Sequence, residues 1–446
     1  SGRPVPGVSP FTFGRTANEM ALAGPGQSLY APDRNNWQPR VGLAWDIGGR
    51  HTTVVRGAYG LYYDRIFQGQ FDNSVTNVPY AVSSQSTALP FRLGVPLPVN
   101  PAIPAVWVLD PSLRNPQTQR FHVGIERALD SSTTLTAAYV GARARGLIRA
   151  LEPNGSGAVP QPLRPDPRFS DQRLIGSYSS SCYDALQLTL GRRSSRGVQA
   201  QVTYTYGRSL DDVSADAPSS GARTPSLVNL GANPDLAGVQ GGASQFVDRP
   251  LRADWGRSDF DFRHHLVIAH TIDVPFRSRR LLLQSFAGGW SLAGLLQARS
   301  GEPFTVTPGR DVNDDGDATT DRPALSGALG DLYAAKGADR VQFLVPASEA
   351  NARLVVPRPV SDPFAAMRRN SFSSPRLWNY DFSARKQFPL GERFRLALEA
   401  NAFNLFNRAH FAAPVAVLTD ARFGRITATR PGYSPRQIQL GLRFTF

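Results

Sequence analysis

The densest chemistry in the sequence is an acidic run, Asp311-Val312-Asn313-Asp314-Asp315-Gly316-Asp317, followed by Asp321. Oxygen ligands at alternate positions with Gly at the sixth match the pattern of an EF-hand Ca2+ loop. Asp311, Asn313, Asp315, Asp317 and Asp321 are therefore candidate ligands for Ca2+. Arg322 occupies the place of the bidentate Glu, which Asp321 would have to supply. An Asx-rich turn on a solvated loop uses the same residues and needs neither that Glu nor flanking helices.

Other reactive groups are dispersed. His264 and His265 are neighbours on an alternating segment and so point to opposite faces. His264 and His270 share a face with Leu266 and Ile268, as expected of a lipid-facing wall with His near its ends. No Gly-x-Ser-x-Gly elbow, phosphate loop or His-Glu-x-x-His helix occurs, and no His is forced beside Ser300 or Ser371. No catalytic residue is assigned, and an enzyme is not expected. Cys182 is the single cysteine, which excludes an intrachain disulfide and a Cys-rich metal site.

The elements that must carry these residues are strands. Val198, Ala200, Val202, Tyr204 and Tyr206 alternate with Gln199, Gln201, Thr203 and Thr205, giving one apolar and one polar face. Similar alternation predicts strands near 38–47, 51–63, 118–128, 133–142, 183–192, 197–207, 262–273, 286–299, 378–387, 393–404 and 435–446. Each is about ten residues long, enough to cross a bilayer when tilted. Their connections alternate: 48–50, 129–132, 193–196 and 388–392 are tight, whereas 64–117, 143–182, 208–261, 300–377 and 405–434 are long. Short periplasmic turns and long external loops are the habit of outer-membrane barrels. Tyr62, Tyr63, Trp290, Trp378, Tyr380 and Phe388 fall near strand ends, where aromatic girdles meet the lipid interface.

Composition agrees. Hydrophobic residues are 41% and charged residues 19%, too little apolar mass for a helical membrane protein and too little charge for disorder. No apolar run reaches the roughly eighteen residues of a spanning helix. The formal charge of +14 is almost all arginine and is spread from Arg3 to Arg443. Nucleic-acid binding wants basic residues clustered on one element with aromatics between them, and is not expected. Anionic lipid head groups suit the same charge. The first ten residues lack a charged start and an apolar stretch, so a secretory signal is expected to have been removed or to lie upstream.

The last strand places Ile438, Leu440, Leu442, Phe444 and Phe446 on one face and ends on an aromatic. This resembles the signal that the barrel assembly machinery recognises. Further motifs extend over nearly the whole chain: Asn35-Asn36-Trp37-Gln38-Pro39-Arg40-Val41-Gly42, Ser258-Asp259-Phe260-Asp261-Phe262-Arg263-His264, Gly289-Trp290, Ser300-Gly301-Glu302-Pro303-Phe304, Asp321-Arg322-Pro323, Ala402-Phe403-Asn404-Leu405-Phe406-Asn407 and Pro435-Arg436-Gln437-Ile438-Gln439-Leu440. In order and spacing they resemble the barrel of TonB-dependent receptors of the Oar-like group.

The resemblance implies an all-β transmembrane antiparallel β-barrel in the cell outer membrane of a Gram-negative-type bacterium, with residues 1–446 forming part of a 22-stranded wall. Residues 1–37 would be external loop and the strands would run from 38 to 446. It also implies active uptake of an unidentified large substrate. Neither a plug domain nor a TonB box is found in the sequence, so contact with the TonB complex would go through a missing amino-terminal region. The rival expectation is a non-transporting surface or adhesion protein anchored by its barrel. Outer-membrane lipid is the expected partner in either case.

Overall fold

The computed structural model describes residues 11–12, 21–22, 28, 30–66, 103, 106–151, 168–169, 172–193, 197–214, 254–276, 278–310, 321–335, 341–355, 365–391 and 393–446. The fold is all-β. Eleven long strands run in sequence order through one antiparallel meander. They are β1 (Arg40–Asp46), β2 (Thr53–Tyr63), β3 (Gln117–Asp130), β4 (Thr133–Leu151), β5 (Gln172–Arg193) and β6 (Val198–Asp211). The sheet continues through β7 (His264–Asp273), β8 (Trp290–Arg299), β9 (Leu377–Leu390), β10 (Phe394–Phe403) and β11 (Gln437–Thr445). Among the described residues, β1 and β11 do not pair with each other.

Period-two patterning fixes the register, because a one-residue slip would exchange the two faces. Leu190, Val202, Ile268, Leu296 and Tyr380 lie in one cross-strand row, and Thr189, Thr203, Val267, Gln297 and Asn379 in the next. The first row belongs to an apolar outer face on which Val41, Leu43, Val123, Leu188 and Leu440 stay exposed. Large side chains so displayed are costly in water and suit hydrocarbon. Among the described residues, no helix is long and apolar enough to cross a membrane.

Three differences from the sequence reading have physical causes. The hairpin β4–β5 extends to Leu151 and Gln172, well beyond the expected 142 and 183. Its upper part is covered by protein, which removes the apolar–polar alternation: Arg149 and Ser179 are both buried there. The strand expected at 286–299 is present as β8 but begins only at Trp290, because a short helix α1 (Leu281–Ala287) takes up its first residues. Gly289, at φ +71°, makes the reversal between them. The long connections also carry structure of their own. Val106–Leu109 pairs in parallel with the top of β5, Pro303–Phe304 pairs with Phe372–Ser373, and Ala324–Leu325 pairs with Leu354–Val355.

Candidate functional site

The polar face forms the first part of the site. Across it, Arg385 and Glu399 form an ion pair at 3.2 Å, Asn379 donates to Asp381 at 2.9 Å, and Gln297 meets His265 at 3.3 Å. A hollow of about 790 Å3 is lined in part by Gln199, Gln201, Thr271, Asp381 and Asn401. Such a wall offers hydrogen bonds to water or to a solute. His270 also borders the hollow, but its ring lies on the other face, where it bonds Tyr380 at 3.0 Å.

The second part is the assembly of long connections at one end of the sheet. Phe304, Val306, Leu332, Leu344, Leu354 and Phe372, from the β8–β9 connection, pack with Leu418 and Phe423 from the β10–β11 connection in one hydrophobic cluster. Gly424 permits this approach, since a Cβ there would lie 2.7 Å from the Leu344 carbonyl oxygen. Two long connections thus share a single core.

Buried ions tie in the remaining elements. Arg149 on β4 and Arg322 in the β8–β9 connection both meet Asp254, at 2.5 and 3.3 Å. Arg369 pairs with Asp211 at the end of β6 and reaches Asp259 at 3.6 Å. It also donates to Ser214 Oγ at 3.0 Å. Asn370, in the left-handed region at φ +57°, donates to the Arg257 carbonyl at 2.9 Å and to the Asp259 carboxylate. Arg430 bonds Glu302 at 2.6 Å, joining the β10–β11 connection to the start of the β8–β9 connection. Burial pushes the Asp259 carboxyl up to about 6, against the opposing pull of Arg369 and Asn370. Burial raises Asp212 as well, although Ser179, Ser180 and Arg149 act to lower it.

The sequence-derived candidates are distributed as follows. Of the proposed Ca2+ ligands, Asp311, Asn313, Asp315 and Asp317 lie outside the described residues, and Asp321 is fully buried in the loop assembly. Ile438, Leu440, Leu442, Phe444 and Phe446 are all exposed, with the first four paired in register to Ala402, Ala400, Leu398 and Leu396 of β10. Ser300 Oγ accepts from the His264 backbone amide, while the His264 ring bonds Tyr204. Ser371 Oγ donates to the Arg368 carbonyl, so neither serine meets an imidazole. His264 and His270 share the apolar face with Leu266 and Ile268, as expected, and His270 bonds Tyr380 at 3.0 Å.

The girdle aromatics divide. Trp378 and Tyr380 gather with Phe406 near the long-loop end. Trp290 and Phe388 gather near the short-turn end around Lys386, whose ammonium reaches back to the Phe286 and Gly288 carbonyls. Tyr62 instead lies on the polar face, between Arg40 and Arg120. The ionic cluster escaped sequence reading because Arg369 and Asp211 stand 158 positions apart. The one available signal was that Ser258-Asp259-Phe260-Asp261 and Asp321-Arg322-Pro323 are motifs falling within loops.

A family model described as an outer membrane beta barrel domain matches residues 6–439. No protein of curated function matches the chain. Among solved structures, the outer membrane transporter YddB from Escherichia coli is similar at 12% identity and a TM-score of 0.48, over 92% of this chain and 40% of that one. The pyoverdine outer membrane receptor FpvA from Pseudomonas aeruginosa PAO1 gives 13% identity and a TM-score of 0.42, over 96% and 38%. BauA, the ferric preacinetobactin receptor from Acinetobacter baumannii, gives 11% and 0.37, over 92% and 36%. The chain thus spans about two fifths of the length of these structures.

Proposed function

The chain belongs to the outer membrane beta barrel domain family and resides in the bacterial outer membrane, and from that premise we propose that it is the wall and external-loop region of a TonB-dependent receptor of the Oar-like type. Within a 22-stranded wall, its polar face would line the passage. The packed connections would form an external vestibule for a bulky solute.

One observation carries this reading. Residues from the separate resemblance motifs take part in one loop assembly at a single end of the sheet: Ser258, Asp259 and Asp261, then Glu302 and Phe304, then Asp321 and Arg322. A cap built from residues of the resemblance motifs, locked together over a polar wall, suits a transport vestibule better than loops free to diversify for adhesion. The described arginines Arg149, Arg322 and Arg369 are buried and ion-paired within the cap. They hold the vestibule together, and recognition falls to other groups.

The test is photo-crosslinking of the native, full-length protein in growing cells. A receptor is expected to give a crosslinked species with TonB that is lost in a strain lacking TonB. No such species, together with loss of surface attachment on deletion of the protein, would replace this reading with that of a barrel-anchored surface protein.

A further inference from the structure

On the outer face, Tyr63, Gln117 and Arg145 form one cross-strand row, four residues along each strand from the row of Tyr59, Phe121 and Gly141. That spacing is about 13 Å along a strand, or about 10 Å of height when the strand is tilted by about 40°. Below it, Arg143 and Asp184 form an ion pair at 2.8 Å, and beyond that pair Val123, Ile125 and Tyr139 are exposed wall of the outer face. The upper row therefore sits where the hydrocarbon gives way to head groups.

A cavity of about 490 Å3 opens at this row, lined by Arg114, Arg145, Gln117, Tyr63, Asn35 and Asn36 among others. Its frame is built. Ala31 N–H donates to the Pro111 carbonyl at 2.8 Å, Asn115 N–H to Asp33 at 2.9 Å, and Ser177 Oγ to the Arg114 carbonyl at 2.7 Å. The two carboxylates in the lining are engaged in that frame: Asp33 accepts from Asn115, and Asp110 from Ser112 and Tyr178. Gly146, at φ +65°, lies at a register shift beside Arg145, a device that re-aims a side chain. Arg114 and Arg145 are exposed, and neither guanidinium has a hydrogen-bond or ion-pair partner among the described residues.

We propose that this rim pocket holds the phosphorylated sugar head group of an outer-leaflet glycolipid. Arg114 and Arg145 take the phosphate through charge-assisted hydrogen bonds. Asn35 and Gln117 meet sugar hydroxyls, and the acyl chains descend over Tyr59, Val123 and Tyr139. Two cations without partners among the described residues, above an apolar wall, match an anionic head group carrying hydrocarbon. The inference rests on the protein's place in the outer membrane and is independent of transport.

The experiment is a native mass-spectrometric titration of the purified full-length protein in detergent. The probes are bis-phosphorylated lipid A, dephosphorylated lipid A and soluble glucosamine phosphate. The phosphorylated lipid is expected to bind best, and Arg114→Gln with Arg145→Gln to weaken it by about thirtyfold. Arg145→Lys should keep most of the affinity, which separates charge from fold. Equal binding of the two lipids, unchanged affinity in the double variant, or equally tight binding of the soluble sugar phosphate would each overturn the assignment.

Discussion

Replacing Arg369 with Met should release the external loops while leaving the barrel wall intact. Arg369 is 1% exposed, and its partners Asp211 and Asp259 come from β6 and from the connection that follows it. Met keeps much of the volume but strands a carboxylate that is itself 5% exposed, Asp211, without its cation. Breaking a buried pair from one side costs about 3–5 kcal/mol. Opening of the loop assembly should then rise by about two to three and a half orders of magnitude. Hydrogen exchange at the Ser258 and Asp261 amides reports this, since they bond the Ser209 and Ser258 carbonyls within the same cluster. Amides between β7 and β8 serve as the internal control. Adding Asp211→Asn and Asp259→Asn to Arg369→Met should recover much of the loss, because no buried charge of the group then remains. Acceleration below tenfold at Ser258 and Asp261, or equal acceleration in β7 and β8, would refute the loops as a separately locked unit.

Other outcomes follow from the same geometry. The folded Asp259 carboxyl sits at about 6 against an ordinary 3.8, so the folded loops hold the extra proton. Its contribution to loop stability is complete below about pH 4 and is lost as pH rises through about 6. Asp259→Asn should flatten that part of a loop-stability profile between pH 4 and 7, and an unaltered profile would contradict the assignment. Asp315→Ala should abolish a calorimetric Ca2+ signal from the refolded protein, and silence from the unmutated protein would end the Ca2+ reading. Deleting Phe446, 91% exposed at the end of β11, should lower outer-membrane yield if the terminal strand is the assembly signal, and undiminished assembly would exclude that role.

What the sequence disclosed depends on where each residue lies. Val198 to Tyr206 was legible because lipid on one side and a polar face on the other impose a period of two. The same strand pattern dissolves in Leu147 to Leu151, where both faces meet protein and Arg149 is buried against Asp254. Leu281 to Ala287 is an apolar run too short for periodicity to separate helix from strand, and it folded as a helix. Tyr62 stands near a strand end, as an interface aromatic would, yet it shares a face with Gly60, whose cross-strand partners are Arg40 and Arg120, and so lies among arginines on the polar face. Pairs such as Arg369 with Asp211 leave no local spacing to read. The fold was therefore legible wherever the membrane writes the pattern, and the site was hidden wherever distant loops meet.

The most direct test of the account is cysteine labelling on the two faces of the wall, in a Cys182→Ser background and in native outer membranes. Gln201→Cys and Thr203→Cys lie on the polar face, and Leu188→Cys and Leu440→Cys on the apolar face. A water-soluble maleimide should modify the first pair and spare the second until the protein is denatured. Equal labelling of Leu188→Cys and Gln201→Cys in the intact membrane would contradict a wall with lipid on one side and a water-filled passage on the other.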